Sequence, residues 1–352
     1  MNKINLTTFQ IVQVGRMSFT FSHQYLMVCT LLLLCIIGFL AWDISLGSLT
    51  ISLKDIVDSM FNSAQVTPIK QHILMDIRLP RALTALFAGI SLGISGCLFQ
   101  SLSRNPLGSP DVIGFTTGSA TGALCAIVIF NLSMQGIIAS AFIGGIATAV
   151  SVYVLASNRH LGESSYTLIL TGLAVGSLLA AFNALLLVKG DLENAIQANF
   201  WLAGSLNART WSHVIPLITC TCLCFPLAIV IARQLRMLEM GDAIAAQLGI
   251  NVRKLSLYVL IVAVLLSSAA TAACGPIAFI ALAAPKIFQA IHKSTSVAVI
   301  GSGLTGGNLL LAADIFTLNK PFSWVLPIGQ VTGILGGIYL LWIMVFASRK
   351  TQ

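Results

Sequence analysis

Runs of about 20 apolar residues alternate with short polar connections along almost the whole chain. A helix needs about 20 such residues to cross the hydrocarbon core of a bilayer. The pattern predicts ten spans, at residues 26–44, 81–101, 111–131, 135–157, 165–188, 212–233, 255–274, 276–292, 297–315 and 326–347. The eighth is the weakest, because Pro276, Pro285 and Lys286 interrupt it. The first follows a polar stretch holding Lys3 and Arg16, as a secretory signal would. It ends in Ala41-Trp42-Asp43, with no small-x-small cleavage site, and reads as a retained helix. The expected architecture is an all-α polytopic membrane protein of about ten helices. Residues 1–25 form a cytoplasmic segment, 26–347 a single transmembrane domain, and 348–352 a cytoplasmic tail.

Composition agrees with the pattern. Of 352 residues, 57% are hydrophobic and only 9% are charged, against about 25% charged in a soluble domain. Thirty charges cannot clothe a water-facing surface of this size, which excludes a soluble enzyme and a disordered chain. The net charge of +8 is too thinly spread for a nucleic-acid patch, so no nucleic acid partner is expected. With both termini in the cytoplasm, twelve of the 19 Lys and Arg residues fall on the inner side. That bias favours N-in, C-in. It also leaves Arg78 and Arg81 crowded on the outer side.

Catalytic and metal chemistry find no candidates. The eight Cys residues sit in apolar runs without zinc spacing, and the five His residues are scattered near span ends. Asp314 reads as the one acid near a span, where a proton-driven transporter needs several. The chain contains no Gly-Lys dipeptide, hence no phosphate-cradling G-x-x-x-x-G-K-[ST] loop. If ATP powers this protein, another polypeptide hydrolyses it.

Small residues recur every fourth position at Gly89 and Gly93, at Gly114, Gly118 and Gly122, at Gly172 and Gly176, and at Gly329, Gly333 and Gly337. Such stripes let helix backbones approach closely in lipid, either within one chain or along a pathway or subunit interface. Three polar segments interrupt the apolar runs. Asp76-Ile-Arg-Leu-Pro-Arg81 opens the second span, with Pro80 suited to a helix first turn and two guanidiniums spaced i, i+3. These arginines suit either anionic lipid headgroups or the carboxylates of a docking protein. Gln100 to Asp111 is rich in turn formers, with Asp111 placed to open the third span. The loop 234–254 reads as two short helices, with Gly241-Asp242 supplying a break and N-cap and Gly249 ending the second. Ile244, Ala245 and Leu248 are expected on one apolar face that needs a partner surface.

Four segments in this order resemble the FecCD/BtuC-type permeases of ABC importers for iron-siderophores and vitamin B12. They are Arg78-Leu-Pro-Arg81 with its Gly/Ala-rich helix, Gln100 to Asp111, Met240-Gly-Asp242 to Val252, and Gly275-Pro-Ile-Ala to Pro285. The resemblance covers about residues 26–347. Within the family the chain is most similar to ferric enterobactin (catecholate) permeases of the G type, through Asn105–Phe115, Trp201–Asn207, Leu238–Asp242 and Leu335–Tyr339. The resemblance implies a BtuC-like bundle in the bacterial inner membrane, with two permease subunits, different homologous chains, forming the pathway. It implies that Arg78 and Arg81 receive acidic residues of a periplasmic siderophore-binding protein. It implies that Met240, Gly241, Asp242, Leu248 and Gly249 couple to an ABC ATPase dimer, which carries ATP and magnesium; this chain carries no cofactor. The family often has His where this chain has Lys286, and Lys320 matches an outer loop. Cobalamin, haem or another siderophore are the alternative cargoes. An ion-coupled secondary transporter is the alternative class.

Overall fold

A helix lies at each of the ten apolar runs, although only some have full membrane length. The computed structural model of the protein describes residues 9–14, 17–47, 49, 51–61, 67–111, 113–156, 165–292, 297–319 and 326–347. Lys320 and the tail 348–352 lie outside them. In chain order the elements are β1 (Phe9–Val14), β2 (Met17–Ser22), α1 (His23–Ser45), α2 (Leu53–Phe61), α3 (Pro68–His72), a π-helical turn (Ile73–Arg78) and α4 (Leu79–Ser103). Next come α5 (Phe115–Leu124), a second π-helical turn (Cys125–Ile129), α6 (Met134–Ala156), α7 (Ser165–Lys189), α8 (Leu192–Leu202) and α9 (Trp211–Leu238). The last five are α10 (Asp242–Gln247), α11 (Val252–Cys274), α12 (Ile280–His292), α13 (Val299–Leu318) and α14 (Ile328–Ala347).

Seven described helices are long and apolar enough to cross a membrane, while Phe115–Ile129 and Ile328–Tyr339 are shorter apolar helices. The interrupted eighth run yields the 13-residue α12. The third run starts its helix at Phe115, not at Asp111, because the turn-forming segment extends to Gly114, whose φ of +82° sits at the helix N-cap. The N-terminal segment holds an antiparallel hairpin, with Phe9 opposite Ser22 and Val14 opposite Met17. The alternation in Met17-Ser-Phe-Thr-Phe-Ser22 suits a strand; outside this hairpin every described element is helical, as the all-α reading expected.

The second span starts earlier than its hydropathy shows. Helical backbone runs from Pro68 to Ser103, with Pro68 in the first turn, where its missing N–H is not needed. Pro80 therefore lies inside a continuous helical run and not at its beginning. The π-helical turn just before it accommodates this, because Leu79 N–H reaches back to Leu74 O and shifts the hydrogen-bond register.

Helices α4, α11 and α13 form the interior, with 83%, 78% and 72% of their apolar windows buried, against 17% for α1 and α7. Glycine decides how α4 meets α13. A methyl group on Gly89 would collide with the Gly306 carbonyl, and one on Gly93 with that of Ser302. Gly118 and Gly122 abut Thr148, Gly144 and Ser140 of α6, while Gly114 abuts Gly176 of α7. All five glycines pack within this chain, as small residues do where helix backbones touch. Gly333 and Gly337 on α14 face open space.

Candidate functional site

The two ends of α4 carry two polar clusters. Twenty-five residues at 1.5 Å per residue set them about 37 Å apart.

The first cluster gathers at the N-terminal end. Arg81 forks onto Asp314 of α13, with Nη2 to Oδ1 at 2.6 Å and Nε to Oδ2 at 3.0 Å. Its Nη1 donates to Asn207 Oδ1 at 2.8 Å. The Asp314 side chain has no exposed surface, and Thr317 Oγ1 also donates to it at 3.2 Å. Asp43, at the end of α1, is 3% exposed and lies within Coulombic reach of Arg78, Arg81 and Asp314. Its Oδ1 has no hydrogen-bond partner among the described residues.

Arg78 has a different task. Its guanidinium donates to the carbonyls of Ile44 at 2.8 Å, Ser45 at 3.1 Å, and Leu49. Two of these belong to the last turn of α1, whose carbonyls have no partner within the helix, so Arg78 caps that helix. Gly47 makes room: any side chain there would strike the guanidinium. The two arginines share one face, as their spacing implied, and both border a cavity of about 270 Å³ with Asp43 and Gly47. The structure engages both within the chain, where the sequence suggested guanidiniums free for a partner. Asp43 and Asn207 were missed, and Asp314 was not recognised as an ion-pair partner. One signal pointed to Asp43. An acid near a helix C-terminus opposes the helix dipole and requires a cation beside it.

The second cluster lies at the other end of α4. Arg104 ends that helix with a left-handed backbone, φ +49°. Asn105 turns the chain, its Oδ1 accepting from Leu107 N–H at 2.9 Å. The Arg104 guanidinium pairs with Asp242, the first residue of α10. Asp242 makes no capping bond; Gly241, φ +118°, is the N-cap. Beside them Glu239 takes a hydrogen bond from Ser101, and burial pushes its carboxyl up against that bond and the charges of Arg236 and Lys286.

The loop 234–254 holds one short helix, not two, because α9 runs on to Leu238. At the far end of α10, Ile250 N–H bonds Ala245 O and Gly249 N–H bonds Ala246 O, with Gly249 at φ +85°. That is the glycine-dependent helix stop predicted at this position. Asn251 Oδ1 then accepts from Lys254 N–H at 3.0 Å and opens α11. The expected apolar face divides in two. Ala245 is fully buried against the core, whereas Met240, Ile244 and Leu248 point outward at 64%, 43% and 58% exposure. Small Ala faces inward because α10 packs close to α9 and α11. Large apolar side chains spaced by four are left without cover.

The sequence of residues 12–346 matches the family described as the FecCD transport family. A ferric enterobactin transport system permease protein of Escherichia coli is 40% identical over 329 residues, covering 94% of this chain and 98% of that protein. A hemin transport system permease protein of Yersinia pestis is 33% identical, covering 91% and 95%. A metal-chelate type ABC transporter solved in an inward-facing conformation superposes with a TM-score of 0.79 at 26% identity, covering 92% of this chain and all of that one.

Proposed function

The chain belongs to the FecCD transport family, and from that membership we propose that it is the transmembrane permease subunit of an ABC importer carrying a ferric siderophore of the catecholate, enterobactin-like class. The observation that carries the reading is the 40% identity to an enterobactin permease along nearly the whole of both chains. The geometry supports it at the α10 end. A short helix stopped at Gly249 presents Ile244 outward, with Met240 before it and Leu248 at its end also exposed. An apolar stripe along an exposed helix is what a groove on a partner recognises. The proposed partner is an ABC ATPase dimer, which binds ATP and magnesium and hydrolyses the ATP. This end faces the cytoplasm of a cell whose inner membrane holds the protein, with both termini inside. A second, different permease subunit completes the pathway.

At the other end, Arg78 and Arg81 are the proposed receivers of carboxylates from a periplasmic binding protein. Both keep part of their surface open. Because Arg81 also neutralises Asp314, a charge reversal there would damage the fold as well as docking. The informative variant is Arg81→Gln with Asp314→Asn, which removes both partners of the fork together.

The experiment is uptake of radiolabelled ferric enterobactin, ferric citrate, haemin and cobalamin in cells lacking the chromosomal copy. Ferric enterobactin is expected to be restored preferentially. Preferential uptake of haemin would shift the cargo to the class of the Yersinia relative. No uptake with any cargo when ATPase, second permease and binding protein are all supplied would sink the proposal.

A further inference from the structure

Arg209 lies in the turn between α8 and α9 and is 8% exposed. Its Nε donates to Ser205 O at 3.0 Å. Neither Nη1 nor Nη2 has a partner among the described residues, yet neither is sealed off, so the guanidinium tip borders space that a water-sized species can enter. No Asp or Glu among the described residues pairs with it. Burial pulls the guanidinium below its ordinary value, and the group set against that pull is the Cys274 thiol, not a carboxylate. Ala208, just before it, is held at φ +56°. That region disfavours any residue with a β-carbon, so the surrounding fold imposes the turn that directs Arg209 inward.

Arginine does not shed its proton in a protein, and a buried charge without a counter-charge is costly. The neighbours supply too little. The C-terminal end of α11 is close, since Cys274 O accepts from Ser205 N–H at 2.8 Å, but a helix end offers only about half a negative charge. Ser205 O is a neutral acceptor, and the His213 ring, which feels the same positive field, brings no negative charge. Arg81 meets burial with the Asp314 fork; Arg209 has the burial without the fork.

We infer that Arg209 binds one small anion at Nη1 and Nη2, either chloride or a single phosphate oxygen of a lipid headgroup. Two parallel N–H groups on a guanidinium edge converge on one anionic acceptor, the geometry of strong charge-assisted hydrogen bonds. Both sources of that charge are at hand. Arg209 stands two residues before the membrane-length Trp211–Leu238 helix, where the hydrocarbon core gives way to headgroups and water. The site requires neither a cargo nor an ATPase.

The test melts the full chain, delipidated in non-ionic detergent, at fixed ionic strength while bulky gluconate is replaced by chloride. Melting temperature is expected to rise saturably by about 3 °C, as binding to the folded state alone implies. Arg209→Gln should abolish that rise, while Lys189→Gln, which removes an exposed cation, should keep it. Should Arg209→Gln not fold, Arg209→Lys keeps the charge, loses the fork, and should move the chloride midpoint up about tenfold. Phosphatidylglycerol returned in gluconate should give the same rise and remove the chloride response if lipid supplies the phosphate oxygen; a lipid without effect leaves chloride as the occupant. Melting of the unaltered chain that ignores both chloride and lipid would overturn the inference, since water would then be satisfying Arg209. A chloride response that survives Arg209→Gln, or a midpoint unmoved in Arg209→Lys, would do so too.

Discussion

The two ends of α4 manage polarity in opposite ways. At its N-terminal end charge is hidden: Arg81, Asp314 and Asp43 lie within the bundle, and Arg78 is spent on carbonyls of α1. At its C-terminal end charge is only half covered, with Arg104 and Asp242 side chains 39% and 63% exposed, while Met240, Ile244 and Leu248 stand outward. A buried fork of charge holds α4 against α13 and tolerates no missing member. An exposed ion pair contributes little and can break and re-form. The first end is therefore built to hold its own helices in place whatever docks on the open part of its guanidiniums, and the second to yield when it is engaged.

This contrast predicts a graded series of effects. Arg81→Met should be the most severe, because it strands two buried carboxylates; a loss of about 3–5 kcal/mol is expected, read as a collapse of the detergent melting temperature. Adding Asp314→Asn should recover much of it, and no recovery would show that the fork is not the stabilising element. Next, Ile244→Asp with Leu248→Asp should leave melting within about 0.5 kcal/mol yet weaken capture of the ATPase subunit by more than tenfold. Unchanged capture would remove α10 from the coupling role.

A smaller effect concerns pH at Asp111, which lies in the turn before α5. Burial pushes its carboxyl up to about 7, from an ordinary value of 3.8. The folded chain then holds a proton that the unfolded chain releases, so stability is intact below about pH 4 and falls as pH rises toward 7. Asp111→Asn should flatten melting temperature across that window, and an unaltered slope would refute the assignment. The smallest effect is expected for Arg104→Ala, about 0.2–1 kcal/mol and shrinking in high salt. A loss several times larger would mean that the α10 end is as fixed as the other.

The membrane class was legible because hydropathy is a local property: ten runs of apolar residues gave helices at ten places. The helix stop at Gly249 was legible for the same reason, since a left-handed residue at that point favours glycine. Local reading failed where the partner lay far along the chain. Nothing near Arg81 names Asp314, 233 residues away, and nothing near Ala245 says that it turns inward while Ile244 and Leu248 turn out.

The sequence by itself determined the solvent of this protein, the positions of its helices, its family motifs and the small residues that permit close packing. Tertiary structure alone decided which charges are neutralised and which apolar side chains are left uncovered. The physical reason is that hydropathy and backbone freedom act over a few residues, whereas ion pairing and burial depend on what the folded chain brings into contact.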